Sequence, residues 1–129
     1  MIAVDTSALV AVVLGEPDAE RYLDALEGSP ACLSLVSLVE AGMVVEARQG
    51  ADAARDLHIL VNGTIDHLVP LDADHAHAAV NGWRRFGKGR HPAGLNFGDC
   101  FAYAVARLAG LPLLFKGDDF AQTDIASAL

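Results

Sequence analysis

Apolar and polar positions along the chain follow two rhythms. Short apolar runs at Ile2 to Val4, Ala31 to Leu33, His67 to Leu71 and Leu113 to Phe115 are too brief for helices and read as strands. Pro70 places the third of them at a sheet edge or a strand end. The stretches between carry helical spacing with capping residues at their borders. Asp5-Thr6-Ser7 offers N-cap chemistry for a helix from Ala8 to Leu14, which Gly15 stops. The next helix has Pro17 in its first turn and ends at Glu27, before Gly28. Ser37 is placed to cap a helix from Leu38 to Arg48, closed by Gly50, and a further helix runs from Ala51 to Asn62, closed by Gly63. Asp72 or Asp74 caps a helix reaching Phe86. Glycines and Pro92 make a loop of residues 87–95, after which Asn96 caps a helix from Phe97 to Ala109, ended by Gly110. A turn at Gly117-Asp118-Asp119 and a short strand from Thr123 to Ala126 complete the chain.

Strands alternating with helices imply an α/β fold, with helices on both faces of a mainly parallel, short-stranded sheet. The 129 residues suit one domain, 1–129, with no internal repeat or linker. Ligands of parallel sheets collect at the carboxyl ends of the strands. Asp5 and Asp118 each follow a strand, so both are expected to face one crevice.

Composition narrows the partners. More than half the residues are hydrophobic and only 6% aromatic, so the core is aliphatic. The net charge of −8 excludes nucleic-acid binding by bulk electrostatics and leaves only a local basic patch or a bound metal. Cys32 and Cys100 lie far apart among apolar residues, without zinc-ligand spacing, and read as buried thiols in a reducing cytoplasm. The first residues read as a strand rather than as a signal peptide, and no apolar run approaches the ~20 residues of a membrane span.

Four carboxylates occupy costly places. Asp5 ends an apolar run, and Glu40 sits on an apolar helical stripe with Val36, Met43 and Val44. Asp99 opens an apolar helix that Asn96 already caps, and Asp118 follows another apolar run. Each has an ordinary explanation as a cap, a stripe edge, a dipole partner or a turn residue. Gathered together they would repel, by roughly 3 kcal/mol per pair at 5 Å and an effective dielectric of ~20. A divalent cation relieves that repulsion.

The order and surroundings of the set are more specific than any member. Val4-Asp5-Thr6-Ser7-Ala8-Leu9, Leu38-Val39-Glu40-Ala41, Asn96-Phe97-Gly98-Asp99-Cys100-Phe101 and Leu114-Phe115-Lys116-Gly117-Asp118-Asp119-Phe120 follow one another along essentially the whole chain. The sequence resembles the PIN-domain ribonucleases, specifically the VapC-type toxins of toxin–antitoxin pairs. The resemblance implies a PIN-like three-layer α/β/α sandwich and a metal-dependent endoribonuclease acting on cellular RNA. By position, its catalytic quartet falls on Asp5, Glu40, Asp99 and Asp118, with Mg²⁺ or Mn²⁺ held most directly by Asp5 and Asp99. Thr6, Lys116 and Asp119 would support that set; Lys116 stands where many PIN domains carry Ser or Thr. A cognate VapB-type antitoxin and a toxin homodimer are implied as partners.

Hydrolysis at such a site needs no protein nucleophile, because divalent-cation chemistry ionises water near neutral pH and offsets phosphate charge. A histidine-dependent nuclease fits less well: His58, His67, His75 and His77 are scattered along the chain. Arg84, Arg85, Lys88 and Arg90, with Trp83 and Phe86 interleaved and His91 following, form a basic stretch in an acidic chain. It reads either as a solvated helix end or as an RNA-tracking patch beside the metal site. For docking partners, the helices of residues 18–27 and 38–65 offer Leu23, Leu26, Val44, Val45, Leu57 and Leu60.

Two other classes remain in view. A phosphate-receiver module shares the length, the sheet and a lysine after a late strand, but needs an acid pair after the first strand, where Asp5 stands alone. A non-catalytic metal-binding module would bind cation without cutting RNA. Within the nuclease class, a DNA-directed enzyme is the nearest alternative, since nothing here marks recognition of a 2′-hydroxyl.

Overall fold

The computed structural model describes residues 1–129. Four parallel strands form the sheet: β1 (Ile2–Val4), β2 (Ala31–Ser34), β3 (His67–Val69) and β4 (Leu113–Leu114), in the order β3-β2-β1-β4. Register pairs Ala3 with Cys32 on one side and with Leu113 on the other. Helices α1 (Thr6–Val13), α2 (Ala19–Glu27), α3 (Leu35–Thr64), α4 (Ala73–Phe86) and α5 (Phe97–Ala109) complete the fold, with a 3₁₀ turn at Phe120–Gln122.

The period of two along each strand divides the core. Ile2, Val4, Ala31, Leu33 and Leu114 face a cluster with Leu9, Leu26, Val45 and Leu57 from α1, α2 and α3. Ala3, Cys32 and Leu113 face the opposite cluster, with Ala79, Phe86, Phe101, Tyr103 and Val105 from α4 and α5. β1, β2 and β4 are buried on both faces, which explains strands that read as unbroken apolar runs, while β3 at the edge is largely exposed. The result is the expected α/β/α sandwich, with a wholly parallel sheet.

Element boundaries differ in three places. Ser34, not Ser37, caps α3, its side chain accepting from Val36 N at 3.1 Å, because the chain turns into helix directly from the end of β2. The two helices expected on either side of Gly50 form one run broken there, where Gly50 takes φ 78° and no connecting loop intervenes. The strand expected from Thr123 to Ala126 is reduced to a single bridge between Leu113 and Ser127, since Phe120–Gln122 coils first.

Connectivity sets the site. From β1 the chain moves outward through β2 to β3, then returns through α4 and α5 to β4 on the other side of β1. The order of strands therefore reverses between β1 and β4, and it is beyond the carboxyl ends at such a reversal that parallel sheets bind ligands. Asp5 extends that pairing by one residue, its N–H donating to Leu114 O at 2.9 Å.

Candidate active site

Asp5 is the N-cap of α1 and is buried. Its Oδ2 accepts from Ser7 N at 3.0 Å and from Ser7 Oγ at 2.6 Å. Ser7 Oγ in turn accepts from Lys116 N at 2.9 Å, tying the start of α1 to the chain leaving β4. The other oxygen, Oδ1, is buried without a partner. Buried polar atoms are normally satisfied, so an orphaned carboxylate oxygen calls for an explanation.

Asp99 repeats the arrangement on α5. Its Oδ2 accepts from Asn96 N at 3.0 Å, while Asn96 Oδ1 accepts from Asp99 N at 2.9 Å, a reciprocal capping box. Asn96 caps as expected, and Asp99 completes the cap. Each acid thus has one oxygen fixed by a helix cap. Glu40, on α3, lies against the first turn of α5. A Cβ at Gly98 would stand 2.6 Å from the Glu40 carboxyl carbon, so only glycine admits the glutamate there.

The acids sense one another. Burial pushes the Asp5 carboxyl up to about 6, against the hydrogen bonds from Ser7, with the Glu40 charge adding to the rise. Burial likewise raises Asp99 to about 7, opposed by the Asn96 hydrogen bond and reinforced by the charges of Asp5, Asp119 and Glu40. Both shifts favour the proton over the bare anion, which is what a cation would reverse.

Several expectations need correction. Of the adjacent and exposed pair after β4, Asp119 is the acid whose charge adds to the rise of the Asp99 carboxyl. Thr6 turns away, its Oγ1 donating to Ser37 O, and Ser7 is the hydroxyl that serves Asp5. Lys116 Nζ pairs with Glu16 at 3.4 Å rather than with the acid cluster. Arg85, also exposed, differs from the other cations of the patch in pairing with Asp124 at 3.0 Å and lying over the Phe86 ring. His91 packs edge-on against Phe86, and its Nδ1 accepts from Ala93 N, a structural role within the loop. Arg84, Lys88 and Arg90 remain exposed, with Arg90 stacked 4.6 Å over Trp83. Sequence reasoning missed Ser7 and Gly98. The signals available were a hydroxyl two residues past an N-cap Asp and a glycine in the first turn of an apolar helix.

The donors suit a hard divalent cation: carboxylate oxygens, one of them orphaned, in a half-buried crevice. No three acidic, histidine or cysteine side chains close into a cage. Mg²⁺ does not require one, because it is bound through one or two carboxylates with water and substrate phosphate completing its shell.

Known proteins identify the family and the fold. The family model described as "PIN domain" matches residues 2–126. A VapC ribonuclease of Mycobacterium bovis is 49% identical over 127 residues, spanning 98% of this chain and 97% of its own. A ribonuclease VapC of Mycolicibacterium smegmatis is 47% identical, with 98% of each chain covered. Among solved structures, Mycobacterium tuberculosis VapC20, described as a sarcin-ricin loop cleaving toxin, superposes with a TM-score of 0.79 at 21% identity, over 98% of this chain and 97% of its own. A toxin–antitoxin complex from Klebsiella pneumoniae superposes at 0.71, also at 21% identity, over 100% of this chain and 98% of the matched one. With its acids gathered where the strand order reverses, this chain belongs to the PIN-domain family and, within it, to the VapC ribonucleases.

Proposed function

We propose that the protein is a divalent-metal-dependent endoribonuclease in which Asp5 and Asp99 hold Mg²⁺ or Mn²⁺ and Glu40 and Asp119 complete the acidic wall. The observation that carries this is the pair of carboxylates each fixed through Oδ2 by a helix cap, with Asp5 Oδ1 left buried and unpartnered. A bound cation supplies Lewis-acid chemistry at the scissile phosphate. The chain's own residues do the rest. Ser7 holds Asp5 in one rotamer, the Asn96 cap does the same for Asp99, and Gly98 lets Glu40 reach the crevice. Incubating single-stranded RNA with the protein and Mn²⁺ tests the reading: endonucleolytic cuts are expected, lost in excess chelator and restored by added cation. Cutting unchanged by chelator would overturn it.

RNA is the substrate this reading favours, tracked by Arg84, Lys88 and Arg90, with the exposed Trp83 offering a stacking face. Neutralising those three cations should weaken RNA binding and flatten its dependence on salt, by about one unit of slope for each phosphate no longer neutralised. Neutralising Arg85 should instead lower stability with the salt slope kept, because Asp124 then loses a partner.

Partners follow from exposed apolar surface, which on the helix of residues 38–65 lies on other side chains than those the sequence suggested. Leu26, Val45 and Leu57 are buried, and Val44 and Leu60 pack against the core. Among the exposed apolar residues, Leu35, Val39 and Met43 are spaced along one stripe of α3 beside Glu40, and Leu71, Val80, Trp83 and Phe97 lie around a groove of about 590 Å³ between α4 and α5. In this reading a second copy of the chain packs on the Leu71 and Val80 side of the groove and leaves Trp83 and Lys88 to RNA, and a cognate antitoxin lies on the α3 stripe, from which a basic side chain reaches the carboxylates. Such an antitoxin competes with metal, so Mn²⁺ affinity should fall in the complex. Unaltered affinity would mean that the antitoxin blocks the RNA path alone. No helix is long and apolar enough to cross a membrane, and the buried free thiols of Cys32 and Cys100 suit a reducing cytoplasm.

A further inference from the structure

Asp124 lies outside the acidic crevice, yet three side chains from two helices converge on it. Its Oδ1 accepts from Tyr103 Oη at 3.0 Å. Its Oδ2 accepts from Arg85 Nη1 at 3.0 Å and pairs with Arg107 Nη1 at 3.5 Å. An acid with this many partners near the end of the chain is tightly placed, and the ribonuclease reading so far leaves it without a role.

The segment it ends is the one that carries Asp119. At its start, Lys116 N donates to Ser7 Oγ, the same hydroxyl that holds Asp5. In its middle, the buried Phe120 packs on Phe115 with ring centroids 5.3 Å apart. At its end, Thr123 Oγ1 donates back to Phe120 O at 2.7 Å, and Asp124 meets its three partners. Gly117 takes φ +103°, which lets the chain turn sharply between these anchors. The Asp119 side chain is exposed and makes no hydrogen bond or ion pair of its own, so the anchors on either side dictate its position.

Tyr103 links the two halves of the site. It stands four residues, about one turn, after Asp99 on α5. Its ring is held by Gly82 of α4, where a Cβ would stand 2.6 Å from the ring, and by Phe86 at 5.9 Å between centroids. Asp99 and the hydroxyl that grips Asp124 therefore ride on one rigid helix. The backbone of α5 joins Asp99 to Tyr103, the Tyr103 hydroxyl bonds Asp124, and the chain through the 3₁₀ turn joins Asp124 to Asp119.

We propose that Asp124 is a positioning residue that holds the Asp119 carboxylate at the metal site through its grip on Tyr103, Arg85 and Arg107. The proposal rests on the carboxylate-site reading above. A purely structural Asp124 would support the fold without acting through Asp119, and a double-mutant cycle on Mn²⁺ affinity separates the two.

The affinity is measured calorimetrically on the protein without RNA, for wild type, Asp119→Asn, Asp124→Ala and the double variant. Asp124→Ala should weaken Mn²⁺ binding about tenfold, the scale of losing a residue that supports a metal ligand. In the Asp119→Asn background the same change should add nothing. Tyr103→Phe, which removes one of the three partners and keeps the ring, should move affinity in the same direction by less, and it serves in place of Asp124→Ala if that variant does not fold. Losses that add in the double variant, or wild-type affinity in Asp124→Ala and Tyr103→Phe, overturn the proposal. Wild-type protein that binds no Mn²⁺ overturns the carboxylate-site reading and the proposal together. Wild-type protein that binds Mn²⁺ but cuts no RNA overturns the ribonuclease reading alone, and the cycle still decides on Asp124.

Discussion

Asp99→Asn should abolish RNA cutting and, in metal-free protein at pH 8, raise the melting temperature. The loss of activity should be at least about a hundredfold, the scale of removing one preorganised electrostatic partner from a reacting site. The gain in stability has a separate origin. The Asp99 carboxyl is raised to about 7 by burial and by the charges of Asp5, Asp119 and Glu40. Asn96 N keeps an acceptor in the variant, because the asparagine side chain presents Oδ1 to the same cap. What disappears is a half-buried anion among other anions.

The sign of the pH dependence follows from the same two acids. Asp5 and Asp99 are raised from 3.8 to about 6 and about 7, so between those limits the folded chain holds more protons than the unfolded one. Stability of the metal-free protein is therefore highest near pH 4 and falls as pH rises to about 7. Asp5 alone accounts for on the order of 3 kcal/mol across its rise of about two units. Asp99 is partly open to solvent and contributes less than its shift would imply. Thermal unfolding followed from pH 4 to pH 8, with and without Mn²⁺, is the measurement. Wild type should lose several degrees across the range, Asp99→Asn should lose less, and Mn²⁺ should restore the wild-type loss at pH 8. A melting temperature that climbs with pH in the absence of metal would show that burial does not hold these carboxyls above their ordinary range.

What the sequence disclosed, and what it hid, divides by the range of the interaction. β1, β2 and β4 were legible because strands buried on both faces leave an unbroken apolar run, and α5 because Asn96 and Gly110 mark its ends. Asp5 and Asp99 were legible for a related reason, since each sits at a strand end or a helix start where local pattern makes an acid conspicuous. The roles of Ser7 and Arg85 were not. Ser7 meets Lys116 across 109 residues and Arg85 meets Asp124 across 39, so neither contact leaves a trace in local spacing. Asp118 and Asp119 are equivalent as turn residues, and local spacing does not distinguish the one whose charge acts on Asp99. The apolar stripes of α3 failed in the opposite sense. Leu57 and Val45 fit a docking surface by composition, but the sheet had already claimed them.

Gly98→Ala should separate activity from stability in the reverse direction from a core mutation. Glycine inside a helix is unfavourable by roughly 1 kcal/mol relative to alanine, so the substitution by itself favours α5. Gly98 has no positive φ that alanine would resist. The obstacle is the Glu40 carboxylate, whose carboxyl carbon lies 2.6 Å from where the Cβ would be. That group is the far end of a flexible side chain on α3, and no hydrogen bond or ion pair ties it down. It can swing out of the crevice at little conformational expense, whereas backbone or a packed ring could not. Stability should therefore change by no more than about 1 kcal/mol in either direction. Cleavage should fall about ten- to a hundredfold, as when a residue supporting a metal ligand is displaced. Glu40→Gln supplies the comparison. If Gly98→Ala acts only by expelling Glu40, then adding it to Glu40→Gln should lower the rate no further, because the glutamine has already removed the charge that the displacement takes away. Full activity in Gly98→Ala would show that Glu40 works from outside the first turn of α5. A large loss of stability would show instead that the α3–α5 contact at Gly98 is rigid packing, with Glu40 held in place by more than the space the glycine leaves.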